Sequence, residues 1–418
     1  MHGELSNAHV GLSALKRNAV GAIVAQGAQA LGSFVLQIIV VRSLGLGGLG
    51  TFSILFGVMV LVAGILTGFV GDSLVVLDRR SHPVRSALQQ YALGLSIAAG
   101  VLSATCAGIS GLITIPQAVL FATAVVFFGL EELMRRLLMA TFLFWRVAVI
   151  DLFAFVVVLT VVGLVSLDHH VTLEIFLLAI SVGQLAAILL GVILLPRDER
   201  FAVRLGRADF RGVAAYGIWR SSQQLLRPGL LTVIRTLITV FIGLAATGLL
   251  ETARVYVAPG MLVITGLTSF LFVSYARDKD ARITDQLPKA DRAVAALLGV
   301  TVVMGIVLVV FLPLVGHLLF GTTPQLAAVL GWLVYTASVS AVTPYGALAA
   351  VGGRQSMVFF VRLADTIVSA VAVLILLSLG GAAELAPIVM CTGSIAGGVA
   401  IRMFILVPSR RRERVQEQ

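Results

Sequence analysis

Residues 216–243 read YGIWRSSQQLLRPGLLTVIRTLITVFIG. They have the length and apolar content of a membrane-spanning helix, yet they include Arg220, Arg227 and Arg235. A charged side chain near the centre of a bilayer costs on the order of 3 kcal/mol even on lenient insertion scales, so such residues face a bundle interior or a water-filled cavity. At 3.6 residues per turn, the spacing i, i+3, i+4 and i+7 makes one face of a helix. That face carries Arg220, Gln223, Gln224 and Arg227. The stretch therefore predicts a membrane helix whose polar face points inward.

The middle of this span contains Arg227-Pro228-Gly229. Proline removes a backbone donor and clashes with the preceding turn, so a bend near mid-membrane is expected. A bent helix with arginines on its inner face indicates a transport pathway for an anion.

The whole chain has the composition of an integral membrane protein: 418 residues, 59% hydrophobic and 12% charged, against about 25% charged residues in soluble domains. Segments of about 20 apolar residues can cross a bilayer. We predict an all-α polytopic membrane protein with twelve such spans, at residues 18–42, 49–76, 88–112, 116–140, 143–166, 172–195, 213–243, 248–276, 290–316, 325–350, 355–379 and 384–407.

Most of the 30 Lys and Arg residues fall in alternate loops and in the C-terminal tail. The positive-inside rule then places both termini in the cytoplasm. Topology explains the net charge of +10 without nucleic acid, and the basic loops can also attract anionic lipid head groups.

The order of the segments divides the chain into two similar halves, as internal repeats do in many transporters. We predict an N-terminal lobe (1–195), a basic cytoplasmic connector (196–212), a C-terminal lobe (213–407) and a cytoplasmic tail (408–418). The first span then corresponds to the seventh span, whose polar face carries the arginines. The polar face of the first span contains Gln26, Gln29, Ser33 and Gln37. These side chains either bond to neighbouring helices or line a central cavity between the lobes.

Charged pairs recur at equivalent places in the two halves. The fifth span opens with Arg146 and Asp151, and the eleventh with Arg362 and Asp365. Such pairs are either structural, or they gate transport or bind a coupling ion or proton. The segment 131–136 carries two glutamates and two arginines at helical spacing and predicts a structural ion-pair cluster.

Enzymatic signatures are missing from the sequence. It lacks a GxxxxGK(S/T) phosphate loop, and its six histidines lack the spacing of metal ligands. Cys106 and Cys391 lie inside predicted spans and do not suggest a disulfide. We expect no enzyme activity, no cofactor and no metal.

Residues 41–53, VRSLGLGGLGTFS, resemble the signature that joins the first two helices of polysaccharide flippases in the multidrug/oligosaccharidyl-lipid/polysaccharide (MOP) exporter superfamily. Residues 247–259, TGLLETARVYVAP, are similar to a second stretch of that family, although Thr252 or Ala253 stands near its usual aromatic residue. Shorter similarities are Leu319-Phe320-Gly321 and Gly352-Gly353-Arg354. Twelve spans fit the O-antigen and teichoic-acid exporter branch.

The resemblance implies a V-shaped pair of six-helix lobes in a bacterial inner membrane. Such a protein moves a polyprenyl-pyrophosphate-linked glycan from the inner to the outer leaflet by alternating access, with a polysaccharide polymerase or export machinery as partner. Guanidinium groups bind phosphate oxygens bidentately and keep their charge. The expected head-group ligands are Arg220, Arg227, Arg235 and Arg254, and the expected sugar ligands are Gln26, Gln29, Gln223 and Gln224. Arg42 occupies the family's arginine position, where a cap or hinge role competes with ligand contact.

Three alternatives remain open from the sequence. A cation-coupled multidrug exporter shares the fold, but three cavity arginines would repel cationic drugs. An embedded glycan polymerase would need acidic residues in large outer loops, and the outer loops here are short. A non-transporting membrane scaffold for cell-envelope assembly would tolerate replacement of the arginines.

Overall fold

In a computed structural model of the protein, the described residues are 2–168, 170–197, 199–200, 208–277, 283–351 and 353–408. Residues 201–207 of the predicted connector, Gly352 of the glycine pair before Arg354, and residues 409–418 of the predicted tail lie outside them.

The described part of the chain consists mainly of helices joined by short turns, and it has no β-strand. The helices are α1 (His2–Leu66), α2 (Asp72–Val76), α3 (His82–Ile109), α4 (Ile115–Ala140), α5 (Phe144–Asp168), α6 (Leu173–Leu194), α7 (Phe210–Phe241), α8 (Leu244–Arg277), α9 (Ile283–Phe311), α10 (His317–Phe320), α11 (Leu326–Val351), α12 (Gln355–Ser378) and α13 (Ala386–Ala400). Three π-helical turns continue helices without a break, at Thr67–Gly71, Leu312–Gly316 and Ile401–Leu406. A 3-10 turn, Ala383–Leu385, precedes α13.

Within the described residues, ten helices are long and apolar enough to cross a membrane. The first of them, Val20–Val76, is 57 residues long and contains two predicted spans. The 34-residue helix α8 corresponds to a further predicted span. Each of the twelve predicted spans thus coincides with a helical segment, and the chain is an all-α polytopic membrane protein.

The first two spans are joined differently from the prediction. We expected a short outer loop at residues 43–48. The structure instead continues α1 through these residues, with a non-helical backbone at Gly45 (φ 69°, ψ −171°). A single glycine makes this change of direction because it adopts dihedral angles that other residues disfavour. The helix α7 likewise continues through Pro228.

The first compact unit comprises Met1–Leu44 and Ile54–Pro228. Inside it, α3 packs on α4, and α6 packs on both α4 and α5. Small residues permit these contacts, as is common between membrane helices. A Cβ atom at Gly100 would lie 2.9 Å from the Ala122 carbonyl oxygen, and one at Gly183 would lie 2.9 Å from the Ala154 carbonyl oxygen.

The second compact unit comprises Gly45–Ser53 and Gly229–Gln418. Helix α11 contacts α8, α9 and α13, and α12 packs on α13. The buried indole of Trp332 in α11 donates a hydrogen bond to the Leu250 carbonyl oxygen of α8 (3.1 Å). A Cβ atom at Gly50 would overlap the carbonyl group of Leu244, so the segment Gly45–Ser53 lies directly against the start of α8.

The boundary between the two compact units does not coincide with the connector at residues 196–212. The first unit extends beyond residues 196–212 to Pro228, and the second takes a short segment of α1. The physical reason is close helix contact: the first half of α7 packs on the turn Thr67–Gly71, where a Cβ atom at Gly68 would lie 2.5 Å from the Ser221 Cα atom.

The described connector residues pack on the start of α3. Arg79 and Glu199 form a salt bridge (3.2 Å), and the backbone N–H of Asp209 donates to the Pro83 carbonyl oxygen (3.0 Å). These contacts place the beginning of α7.

Candidate functional site

Arg220, in the first half of α7, forms an ion pair with Asp72. Its Nη2 atom lies 2.7 Å from Asp72 Oδ2, and its Nε donates to the same oxygen (2.9 Å). Its Nη1 donates to Gln223 Oε1 (2.8 Å). The side chains of Arg220 and Asp72 are 30% and 18% exposed, so the pair is partly accessible. Sequence reasoning missed Asp72. The signal was an aspartate near the end of an apolar span, which requires a cationic partner.

Two contacts hold α7 against the turn Thr67–Gly71. The Ser221 hydroxyl donates to the Ile65 carbonyl oxygen (2.9 Å). A Cβ atom at Gly217 would lie 2.9 Å from the Phe69 ring and carbonyl oxygen. π-Helical turns recur at functional sites, and this one sets the position of Asp72 opposite α7.

Arg227 lies two turns after Arg220 and differs from it. Its side chain is exposed, and it makes no hydrogen bond or ion pair with the described residues of the chain. Gln224, on the same face, is also exposed. Arg227 therefore carries a positive charge that the described part of the protein does not neutralise.

In the second unit, Arg235 and Arg254 share one carboxylate. Arg235 Nε donates to Glu251 Oε1 (2.8 Å), and Arg254 Nε donates to Glu251 Oε2 (2.6 Å). The side chains of Glu251, Arg235 and Arg254 are 2%, 9% and 17% exposed. Two guanidinium groups and one carboxylate leave a net charge of +1. Glu251 was missed because we assigned only the arginines of this stretch.

Arg42 is exposed on α1, three residues before the Gly45 kink. This position is compatible with a cap or hinge role and also with contact to a ligand.

The first unit contains a cavity of about 310 Å³. Two predicted sugar ligands, Gln26 and Gln29, line it together with Ser33. Gln37 does not line the cavity, and its Nε2 donates to the Ser33 carbonyl oxygen (3.0 Å). The remaining polar lining comes from Glu131, Asp151 and Gln184, and aromatic rings come from Phe56, Phe128 and Phe155.

A buried ion-pair cluster borders this cavity. Arg135, 2% exposed, contacts Asp151 (Nε to Oδ1, 2.9 Å) and Glu132 (Nη1 to Oε2, 2.5 Å). Glu131 lies farther from Arg135, at 3.9 Å, and Arg136 Nε lies 2.9 Å from Glu132 Oε1. The pairs predicted within residues 131–136 are present.

The predicted pairing of Arg146 with Asp151 is wrong. Asp151 pairs with Arg135, whereas Arg146 donates to the Leu194 carbonyl oxygen. Residues five apart lie about 140° apart around a helix, so they face different neighbours.

In the second unit, Asp365 lies against α13, where a Cβ atom at Gly397 would lie 3.2 Å from the Asp365 Cβ atom. Ser369 Oγ is 3.5 Å from Asp365 Oδ1 and donates to the Met390 carbonyl oxygen (3.0 Å). Arg362 extends towards Gly346 of α11.

Comparison of the sequence with family models and with curated proteins gives no match. Comparison of the fold with solved structures gives several. The lipid II flippase MurJ in an inward closed conformation superposes with a TM-score of 0.74 at 9% identity, covering 94% of this chain and 89% of that one. The fold of this chain is similar to that of the flippase.

Two further structures extend the similarity. A multidrug resistance MATE family transporter of the MOP superfamily, inward-facing, gives a TM-score of 0.66 at 14% identity and covers 95% of this chain and 99% of that one. A MOP superfamily transporter from Pyrococcus furiosus, described by the reverse polarity of its binding pocket, gives 0.57 at 13% identity with 97% and 96% coverage. These neighbours are transporters and a flippase rather than enzymes.

Proposed function

We propose that the protein is a flippase that moves a polyprenyl-pyrophosphate-linked oligosaccharide from the inner to the outer leaflet by alternating access, for cell-surface polysaccharide export. The observation that carries the proposal is Arg227: an exposed guanidinium in a membrane-spanning helix, without a carboxylate partner among the described residues. Such a charge is costly in a bilayer, so an anionic ligand gives it a reason to be there.

The charges on the first half of α7 support an anionic ligand. Arg220 is neutralised by Asp72, whereas Arg227 has no ion-pair partner among the described residues. A pyrophosphate diester is an anion of this kind, and guanidinium groups bind its oxygens bidentately.

The remaining assignments follow from that ligand. Gln26, Gln29, Gln223 and Gln224 hydrogen-bond to sugar hydroxyls, and Arg42 acts at the Gly45 kink. Charged groups with gating or ion-coupling roles are Arg146, Asp151, Arg362 and Asp365. The two lobes (1–195 and 213–407) move about the connector, in an inner membrane with both termini cytoplasmic and with polysaccharide polymerase or export machinery as partner.

A cation-coupled multidrug exporter is the second candidate. It is supported by Asp72 and Glu251, which neutralise arginines that would otherwise repel a cation, and by the carboxylates of Glu131 and Asp151 at the cavity of the first unit. The MATE transporters of the same fold agree with it. The proposal keeps the flippase first because Arg227 remains uncompensated within the described chain.

The test is translocation of a fluorescent polyprenyl-pyrophosphoryl oligosaccharide in proteoliposomes. Arg227→Ala should abolish translocation, and Arg227→Lys should retain part of it because a lysine supplies charge without the planar fork. Arg211→Ala is the matched control, since Arg211 is an exposed arginine at the start of the same helix and outside the polar stripe. Undiminished translocation by Arg227→Ala would refute the arginine mechanism. Export of tetraphenylphosphonium without glycan translocation would establish the second candidate.

A further inference from the structure

Two acceptor atoms in the lining of the first unit's cavity lack a hydrogen-bond donor among the described residues, while Arg135 Nη2, which lacks an acceptor, belongs to a residue outside the lining. Asp151 Oδ2 and Gln184 Oε1 are buried and lack a hydrogen-bond partner among the described residues. The Asp151 side chain is only 4% exposed. Buried polar atoms are nearly always satisfied, and therefore a ligand that brings donors fits this site.

The charges around the cavity favour the same kind of ligand. Three carboxylates, of Glu131, Glu132 and Asp151, surround two guanidinium groups, of Arg135 and Arg136. The carboxylates outnumber the guanidinium groups, so the cluster has no surplus positive charge to bind an anion, and a hydrogen-bond donor is preferred there.

Other residues of the lining carry groups that both donate and accept hydrogen bonds. Gln26 and Gln29 face the cavity, and neither side chain has a partner within the described chain. A primary amide has two donors and an acceptor with two lone pairs, which matches a ring of hydroxyl groups that each donate and accept. A lipophilic cation would leave most of these amide groups unsatisfied.

Three phenylalanine rings complete the wall. Phe56 and Phe128 pack edge to face, with ring centroids 5.9 Å apart, and Phe155 belongs to the same lining. Aromatic faces provide an apolar surface beside the polar groups, as small-molecule sites usually require. A sugar ring has both surfaces, since its C–H faces are apolar and its edge carries hydroxyl groups.

We propose that this cavity binds one sugar residue of the glycan, through hydroxyl or amino donors directed at Asp151 and Gln184 and through the apolar ring face on the phenylalanines. The inference rests on the proposed function, because the flippase supplies the reason for a sugar to enter the protein. The site is separate from the pyrophosphate ligands, since Arg220 and Arg227 do not line this cavity.

The experiment measures binding of free methyl glycosides to the full-length protein in detergent, by ligand-observed NMR titration. The probes are methyl β-glucosaminide, methyl β-glucoside and tetraphenylphosphonium. Gln184→Leu and Gln29→Leu should each weaken glycoside binding about tenfold, as expected for the loss of one or two hydrogen bonds. Phe155→Ala should weaken it similarly. Phe153→Ala, on the same helix but outside the cavity and 41% exposed, should leave it unchanged.

The outcomes separate the proposals. Tighter binding of the glucosaminide assigns the donor to an ammonium group, and equal binding of both glycosides assigns it to hydroxyl groups; both support the site. Binding of tetraphenylphosphonium alone, or glycoside binding that survives all three cavity variants, overturns it. Glycan translocation in proteoliposomes without detectable glycoside binding would overturn the sugar site and leave the flippase standing. Glycoside binding without glycan translocation would refute the flippase.

Discussion

Arg220 of α7 and Asp72, the residue that follows the turn Thr67–Gly71, form an ion pair in which Arg220 Nη2 lies 2.7 Å from Asp72 Oδ2. The carboxylate therefore occupies the position on the guanidinium that a ligand phosphate would take. Both side chains are partly exposed, at 30% and 18%, so a ligand has access to the pair. An anionic substrate must compete with Asp72 before it can bind Arg220.

Asp72→Asn should therefore strengthen binding of inorganic pyrophosphate to the purified protein. A partly exposed ion pair contributes up to about 1 kcal/mol, so the expected gain is about three- to fivefold. Isothermal titration calorimetry in detergent measures it. Asp78→Asn is the control, because the Asp78 carboxylate accepts a hydrogen bond from the Arg80 backbone (3.1 Å) and should leave binding unchanged. Weaker binding by Asp72→Asn would show that Asp72 orients Arg220 instead of competing with the ligand.

Glu251→Gln should destabilise the protein strongly. Glutamine keeps the shape of the side chain but removes the negative charge that Arg235 and Arg254 both contact, at a place where Glu251 and Arg235 are 2% and 9% exposed. Removing one partner of a buried ion pair costs about 3–5 kcal/mol. Denaturant unfolding in detergent measures the loss.

The matched control for Glu251→Gln is Asp291→Asn. Asp291 also holds an arginine, Arg402 (3.2 Å), but the two side chains are 40% and 41% exposed. Exposed pairs contribute about 0–1 kcal/mol, so this variant should lose no more than that. Equal losses in Glu251→Gln and Asp291→Asn would contradict the argument from burial.

Gly68→Ala should destabilise the first unit because the new methyl group has no room. Its Cβ atom would lie 2.5 Å from the backbone of Ser221, and backbone atoms cannot move aside as a flexible side chain can. Overpacking of this kind costs about 1–3 kcal/mol. Gly163→Ala is the control, since a Cβ atom there meets nothing within 4 Å and alanine is the better helix former by about 1 kcal/mol. A Gly68→Ala variant as stable as Gly163→Ala would show that α7 does not pack on this turn.

The twelve spans could be predicted from the sequence because hydrophobic length is a local property. The presence of three arginines on α7 could be read from the sequence for the same reason, since charge and helical spacing are properties of neighbouring residues. The residues that pair with these arginines could not be predicted from the sequence. Asp72 lies 148 residues before Arg220, and the register that brings them together is set by Ser221 and Gly68 at the contact of two helices.

The cavity of the first unit was only partly predictable. The stripe of Gln26, Gln29 and Ser33 follows from helical spacing, but Gln184 and the three phenylalanines come from helices whose facing sides the sequence does not identify. The error with Arg146 has a similar origin. A carboxylate and an arginine close in sequence were paired, whereas the packing of α4 on its neighbours brought Arg135 to Asp151.

Gly45→Ala should destabilise the protein through its backbone alone. The dihedral angles of Gly45 (φ 69°, ψ −171°) lie in a region that is essentially restricted to glycine and costs other residues about 1–3 kcal/mol. A Cβ atom at Gly45 would meet nothing within 4 Å, so no steric clash with neighbours adds to this cost. Gly47→Ala is a close control because Gly47 also has open space but lies outside the positive-φ glycines. The Gly47→Ala variant should be as stable as the unmodified protein or more stable by up to about 1 kcal/mol.

Denaturant unfolding of both variants measures the contribution of the backbone at Gly45. A loss of stability confined to Gly45→Ala means that the change of direction between the first two spans persists in the native protein. Equal stability of the two variants would mean that α1 straightens through Gly45 without penalty, and the break between these spans would then have to come from packing.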